Sequence, residues 1–211
     1  MKNHFLFDLT GRIALVTGGS RGLGFEIARG LGLVGATIAL NGRDLDRLTE
    51  AVEQLRQEGI KVEGYPFDVT QSDQIREMVA RVEKDLGHVD ILFNNAGLQH
   101  RGPLEEFEES DWRRILDTNL TAPFLVSREV VHGMIRRKWG KIINICSLMS
   151  ELGRPTIGPY TASKGGLKML TRAMTVEWAK YNIQINGLSP GYIASKMTSS
   201  LTSNPEFYDW I

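Results

Sequence analysis

The chain has 211 residues, a length that fits one large α/β domain and is ample for a sizeable core. Hydrophobic residues make up 42%, and 22 glycines point to an architecture rich in tight turns. Lysine plus arginine equals aspartate plus glutamate at 25 each, and this zero net charge argues against bulk electrostatic binding to nucleic acid or an anionic membrane.

Taken in order, apolar runs and helical patterns alternate. Residues 12–17 (RIALVT) read as a strand buried on both faces. A glycine-rich turn follows, then a helix over 23–33. Residues 36–41 (ATIALN) form the second strand, and 45–58 an amphipathic helix stopped by Gly59. Residues 61–67 are a third strand, 71–86 a helix stopped by Gly87, and 89–94 (VDILFN) a fourth strand. Ser110 is a candidate N-cap for a helix running to about residue 137, with Pro123 expected to bend it. Residues 141–147 (KIINICS) are a fifth strand, Pro159 opens a helix to about residue 181, and 183–189 (IQINGLS) are a sixth strand. Strands alternating with helices predict α/β architecture, a doubly wound parallel sheet with helices on both faces, in one domain spanning residues 1–211.

Cys146 is the only cysteine, which excludes an intrachain disulfide and favours a reducing compartment. Residues 1–12 carry no long apolar core and no small-residue cleavage site, and no apolar run is long enough to span a bilayer. The expectation is a soluble cytoplasmic protein. His4, His88, His100 and His132 lack metal-ligand spacing, so no metal site is expected. Cys146 has no His or Asp placed to activate it and reads as core packing.

Between the first strand and helix lies Thr17 to Gly24 (TGGSRGLG). Gly18 can turn the chain sharply, Gly22 lets backbone approach a ligand, and Gly24 permits close packing of helix and strand. The helix N-terminus then offers free N–H groups to a diphosphate. By itself the pattern also fits an ordinary strand-to-helix turn; the flanking strand and helix favour a phosphate site.

TGGSRGLG resembles the TGxxxGxG signature of the short-chain dehydrogenase/reductase family. Asn94 to Gly97 (NNAG) resembles a second motif of that family, Tyr160 to Lys164 (YTASK) its YxxxK, and Pro190-Gly191 its PG pair. The resemblance runs from residue 9 to the C-terminus. It implies a Rossmann-type fold and hydride transfer between a nicotinamide cofactor and a carbonyl or alcohol. It further implies a cofactor lined by Gly18, Ser20, Arg21, Gly22, Leu23, Gly24, Arg43, Asp68, Val69, Asn95, Gly97, Tyr160, Lys164, Pro190, Gly191 and Ile193. Asp68 would meet the adenine, Lys164 the nicotinamide ribose, and Asn119 would support a water relay to Lys164.

Tyr160 and Lys164, four apart on a helix, share a face. A free tyrosine titrates near 10, and a neighbouring cation stabilises the phenolate. Tyr160 is then a candidate general acid and base, and Ser147, at the end of a strand, a candidate to orient the substrate oxygen. Alone, Tyr-x-x-x-Lys also fits a surface pair, and Asn119 a capping or surface amide.

Cofactor choice is read after the second strand, where an NAD-specific fold usually places a carboxylate. Here Asn41-Gly42-Arg43 offers none, and Arg43 with Arg21 suits a 2′-phosphate, which favours NADP(H) over NAD(H). Asp44 either binds ribose or caps the next helix, the second being favoured.

Residues 143–154 (INICSLMSELGR), 94–101 (NNAGLQHR), 168–172 (KMLTR) and 190–192 (PGY) resemble the gluconate 5-dehydrogenase branch of the family, which interconverts D-gluconate and 5-keto-D-gluconate. Arg101 and Arg154 are candidates to pair with a sugar-acid carboxylate beside Ser147 and Tyr160, and solvated loop arginines are the alternative. Gln99 and His100 are further candidates for substrate hydroxyls. A 3-oxoacyl-carrier-protein reductase is the runner-up, with Arg136, Arg137 and Lys138 as a docking surface for an acidic carrier. An inactive nucleotide-binding fragment is the third reading. The family usually continues past residue 211 into a seventh strand and a subunit interface. On that basis 183–189 is expected to be an exposed apolar edge strand, the lid from about residue 192 to lose its anchor, and the family's homo-oligomer to be impaired.

Overall fold

Six short strands form one parallel sheet in the computed structural model of the protein, which describes residues 5–191 and 193. The strands are β1 (Ile13–Val16), β2 (Thr37–Gly42), β3 (Val62–Pro66), β4 (Ile91–Asn94), β5 (Gly140–Ile145) and β6 (Ile183–Leu188), in the order β3-β2-β1-β4-β5-β6. Each falls within a run read from sequence or overshoots it by one residue. The helices are α1 (Gly22–Leu33), α2 (Leu45–Gln57), α3 (Ser72–Asp85), α4 (Glu109–Leu116), α5 (Ala122–Arg137) and α6 (Gly158–Trp178).

The sheet is apolar on both faces because both are covered. Ala14, Val16, Ile38 and Leu40 pack with Ala28 of α1 and with Leu48, Ala51, Val52 and Leu55 of α2. The alternate residues Leu15, Ala39, Leu92 and Ile142 pack on the other face with Val79 of α3, Val126 and Val130 of α5 and Met174 of α6. Each fully buried valine, leucine, isoleucine or methionine among these contributes about 1.5–3 kcal/mol. Asp44 caps α2, its carboxylate accepting from Arg47 N at 3.1 Å, which settles its role in favour of the cap.

Three expectations are corrected. Ser110 is not an N-cap: α4 starts at Glu109, with Glu108 in the cap position and no side-chain cap bond. The long helix is interrupted by a π-helical turn over Asp117–Thr121, where Ala122 N bonds Asp117 O, five residues back. Pro123, two residues beyond, has no N–H for the α-helical bond to residue 119, so widening one turn accommodates it. Finally, β6 is an edge strand among the described residues, but it is not apolar outward. Ile183 and Ile185 are buried, and Leu188 is the exposed large apolar side chain. Tyr192 and residues 194–211, including the expected lid, lie outside the described residues. No described helix is long and apolar enough to cross a membrane.

The strand order reverses between β1 and β4, so the loops after these two strands open side by side at the carboxyl edge of the sheet. That is where open α/β sheets bind ligands.

Candidate active site

The glycine loop and the loop after β4 are built as one piece. Thr17 Oγ donates to Phe93 O (3.2 Å) and accepts from the backbone N–H groups of Asn95 (3.0 Å) and Ala96 (3.2 Å). Asn95 Nδ2 donates to the carbonyls of Thr17 and Gly18, both at 3.0 Å. Gly18 has φ +61°, and a Cβ there would lie 2.8 Å from Ala96 Cα. Gly24 is also locked, but against the Asn95 amide and Gly18 O rather than a strand. Gly22 at φ +59° faces open space and begins α1, whose first turn carries no acidic residue. Open glycine backbone and an undiluted positive helix end fit a cofactor diphosphate.

Asn41, at the end of β2, is 2% exposed. Its Oδ1 accepts from Gly18 N (3.1 Å) and its Nδ2 donates to Tyr65 O (3.2 Å) and Phe67 O (3.0 Å), so the side chain ties three loops together and is spent. Gly42 abuts Ser20, whose Oγ lies 3.2 Å from a Cβ at Gly42. Arg43 is exposed and pairs with Asp68 across 3.5 Å. Asp68 also accepts from Thr70 N (2.9 Å) and Thr70 Oγ (2.8 Å), and these bonds with Arg43 hold its carboxyl below the usual range against the opposing effect of burial. Val69 is buried in the core, which leaves only its backbone for a cofactor. Arg21, Gly97, Gly191 and Ile193 are exposed and Leu23 and Pro190 half-buried.

Tyr160 and Ser147 meet at this edge. Ser147 lies two residues past the end of β5 and begins a 3-10 turn, Leu148–Ser150. Its Oγ accepts from Met149 N at 3.1 Å, and a hydrogen bond joins it to Tyr160. Lys164 Nζ is 5.7 Å from the centre of the Tyr160 ring. The expected effect of that cation is corrected: burial dominates and pushes the Tyr160 phenol up, opposed by the bond to Ser147. Lys164 is 5% exposed, and its ammonium donates to Ile145 O at 2.5 Å. Burial lowers its pKa to about 8. The helical spacing puts the pair on one face, but sequence carries no measure of burial.

Asn119 is neither a cap nor a surface amide. It is fully buried in the π-helical turn, with Oδ1 accepting from Leu98 N (2.8 Å) and Nδ2 donating to Leu98 O (2.9 Å) and Ser163 Oγ (3.2 Å). Ser163 in turn donates to Tyr160 O at 2.7 Å. Sequence alone assigns no separate role to Thr17, Asn41, Ser150 or Ser163. Thr17 and Ser163 stand inside recognisable motifs, whereas nothing in the pattern distinguishes Ser150.

On the substrate side, Gly102 N donates to Thr156 O at 3.0 Å and joins the loops that carry exposed Arg101 and half-buried Arg154. Thr156 has φ +69°, a left-handed conformation costly for a β-branched residue. His100 faces Asp111 at 3.5 Å and packs edge-on to Phe107. Cys146 is 3% exposed, and burial raises its thiol pKa. Among the described residues no three His, Cys, Asp or Glu side chains converge as a metal site.

A sequence model described as short chain dehydrogenase matches residues 12–206. A 2-dehydro-3-deoxy-D-gluconate 5-dehydrogenase from Formosa agariphila is 52% identical over 93% of this chain and 75% of its own length. A gluconate 5-dehydrogenase from Gluconobacter oxydans is 49% identical over 100% of this chain and 82% of its own. Among solved structures, a gluconate 5-dehydrogenase from Burkholderia cenocepacia in complex with NADP and tartrate is 45% identical, with a TM-score of 0.92 over 97% of this chain and 80% of that one.

Proposed function

The chain belongs to the short chain dehydrogenase family, and we propose that it interconverts D-gluconate and 5-keto-D-gluconate, with NADP(H) as the preferred cofactor. When bound, a nicotinamide supplies or accepts the hydride. The observation that carries the reading is the hydrogen-bonded Ser147–Tyr160 pair with Lys164 behind it, at the carboxyl edge and beside an open glycine loop.

In reduction, Tyr160 gives its proton to the carbonyl oxygen as the carbon receives hydride; in oxidation it accepts the alcohol proton. A phenol pushed up by burial is protonated at neutral pH, the state that ketone reduction requires. Oxidation needs the phenolate, which the Ser147 hydrogen bond favours. Ser147 also orients the substrate oxygen. Lys164 would hold the cofactor ribose, and Asn119 fixes the backbone of Leu98 in the loop after β4.

Arg101 and Arg154 sit on the two loops joined by the Gly102–Thr156 bond, which suits a carboxylate at that end of the cleft. Arg43 and Arg21, with no carboxylate at the end of β2, suit a 2′-phosphate. The relatives named for gluconate and its derivatives, and the NADP in a neighbouring structure, support the same assignment. The carrier-protein alternative is disfavoured by position. Arg136, Arg137 and Lys138 end α5 just before β5 begins, at the opposite edge of the sheet, and Arg137 is occupied by Val89 O at 2.8 Å.

Oxidation of NADPH with 5-keto-D-gluconate and with an acetoacetyl thioester tests the reading. The sugar acid should be turned over at least about tenfold more efficiently, since a carboxylate pair contributes about 1.5–3 kcal/mol. Preference for the thioester, or turnover of neither, would refute it.

A further inference from the structure

Ser147 and Lys164 belong to different elements, one past the end of β5 and the other in α6, and one hydroxyl touches the backbone of both. Ser150 Oγ accepts from Ser147 N at 3.3 Å and donates to Lys164 O at 2.9 Å. A hydroxyl has one proton and two lone pairs, so the directions are fixed: the carbonyl takes the proton and the N–H meets a lone pair. Ser150 is also hydrogen-bonded to the Cys146 thiol.

The contact completes a reciprocal cap on the 3-10 turn. Ser147 Oγ accepts from Met149 N while Ser150 Oγ accepts from Ser147 N. Met149 N takes one lone pair of Ser147, and the bond between Ser147 and Tyr160 opposes the upward shift of the phenol, as a Ser147 proton directed at the phenol oxygen does. The bond from Ser150 to Lys164 O then fixes α6, with Tyr160 one turn earlier, relative to that proton. The exposed Glu151–Lys168 pair is a second tie between the same segments, in solvent where ion pairs contribute little.

We infer that Ser150 is a positioning residue, whose hydroxyl holds Ser147 in line with Tyr160 by tying the turn after β5 to the Lys164 carbonyl. This rests on the assignment of Ser147, Tyr160 and Lys164 as the reacting set. Ser150 itself does not need to touch substrate or cofactor.

Ser150→Ala removes the hydroxyl without adding bulk, and Ser150→Thr restores it. Both are compared with the wild type in gluconate oxidation as a function of pH, with NADPH affinity and Tm measured alongside. We expect kcat in Ser150→Ala to fall by about tenfold to a hundredfold, the scale of a misplacement near 1 Å. NADPH affinity should stay within about twofold, because the glycine loop is untouched. The rising alkaline limb of kcat should move to higher pH, because a misaligned Ser147 no longer favours the Tyr160 phenolate. Cys146, one residue past β5, and Lys164 on α6 are the other titratable groups facing that phenol; Ser150→Ala also removes the hydroxyl bonded to the Cys146 thiol, and Ser150→Thr returns it. Ser150→Thr should recover both kcat and the profile. Wild-type kcat and profile in Ser150→Ala would overturn the inference alone. So would a parallel loss of Tm, NADPH affinity and kcat with an unmoved profile, the mark of a merely structural role. Absence of turnover in the wild type would overturn the assignment beneath it, and the inference with it.

Discussion

Lys164 shows how far spacing alone reaches. Four-residue spacing on a helix places it beside Tyr160, and the ammonium lies 5.7 Å from the ring. What spacing does not carry is the surroundings: burial lowers the lysine to about 8 and raises the tyrosine, so the two groups are not yet acting on each other as their types suggest. The consequence for stability has a definite sign. A lysine whose folded pKa of about 8 lies below its ordinary 10.5 favours the neutral form on folding. Its charge burdens the folded state below pH 8, and the burden is relieved as pH rises from there through 10.5. Lys164→Met removes the titration. Urea unfolding at pH 7.5 and pH 10 should show the wild type gaining on Lys164→Met by about 2–3 kcal/mol at the higher pH. A constant difference between the two proteins would contradict a buried, titrating Lys164.

At the scale of elements, strand and helix order follows from alternating apolar runs and 3.6-residue patterns, because both faces of the sheet are covered. The failures are local and have physical causes. Proline at 123 signals an interruption, but only the backbone shows that the chain absorbs it as a π-helical turn and thereby buries Asn119 against Leu98. The β2 and β3 ends show a second kind of failure. Sequence identifies Arg43 and Asp68 as separate cofactor contacts, whereas their elements bring them together at 3.5 Å. On the proposed assignment, a 2′-phosphate would compete with Asp68 for Arg43. Arg43→Ala should weaken NADPH binding by about tenfold, from loss of a charge-assisted bond of about 1.5–3 kcal/mol, and leave NADH nearly unchanged. Titration of both cofactors against both proteins checks this; equal losses for the two would contradict a 2′-phosphate contact.

Across the whole molecule, the sheet reversal between β1 and β4 collects every candidate reacting group at one edge. At the other ends of the strands, Arg12 and Arg137 pair with Asp90 at 3.7 and 3.9 Å. The outer edge at β3 is protected locally. Ile38 N bonds Lys61 O, so the backbone N–H and C=O of the otherwise buried Val62 face away from β2, and the carbonyl is taken by Arg56 Nε and Nη2 at 3.2 and 3.1 Å. Pro66 has no N–H to offer another strand. At the opposite edge among the described residues, β6 presents mostly polar side chains, because its two isoleucines alternate inward beneath α6, an alternation the sequence Ile-Gln-Ile-Asn itself carries. The central claim is that this edge is a proton-and-hydride transfer site for a sugar-acid ketone, with Tyr160 as the acid. Its most direct test is the rate of NADPH oxidation with saturating 5-keto-D-gluconate in the wild type and in Tyr160→Phe, with NADPH binding measured in both. The account predicts a wild-type rate reduced by about two orders of magnitude or more in the variant, the usual scale for loss of a general acid, with NADPH binding retained. Near-wild-type turnover in Tyr160→Phe would contradict it.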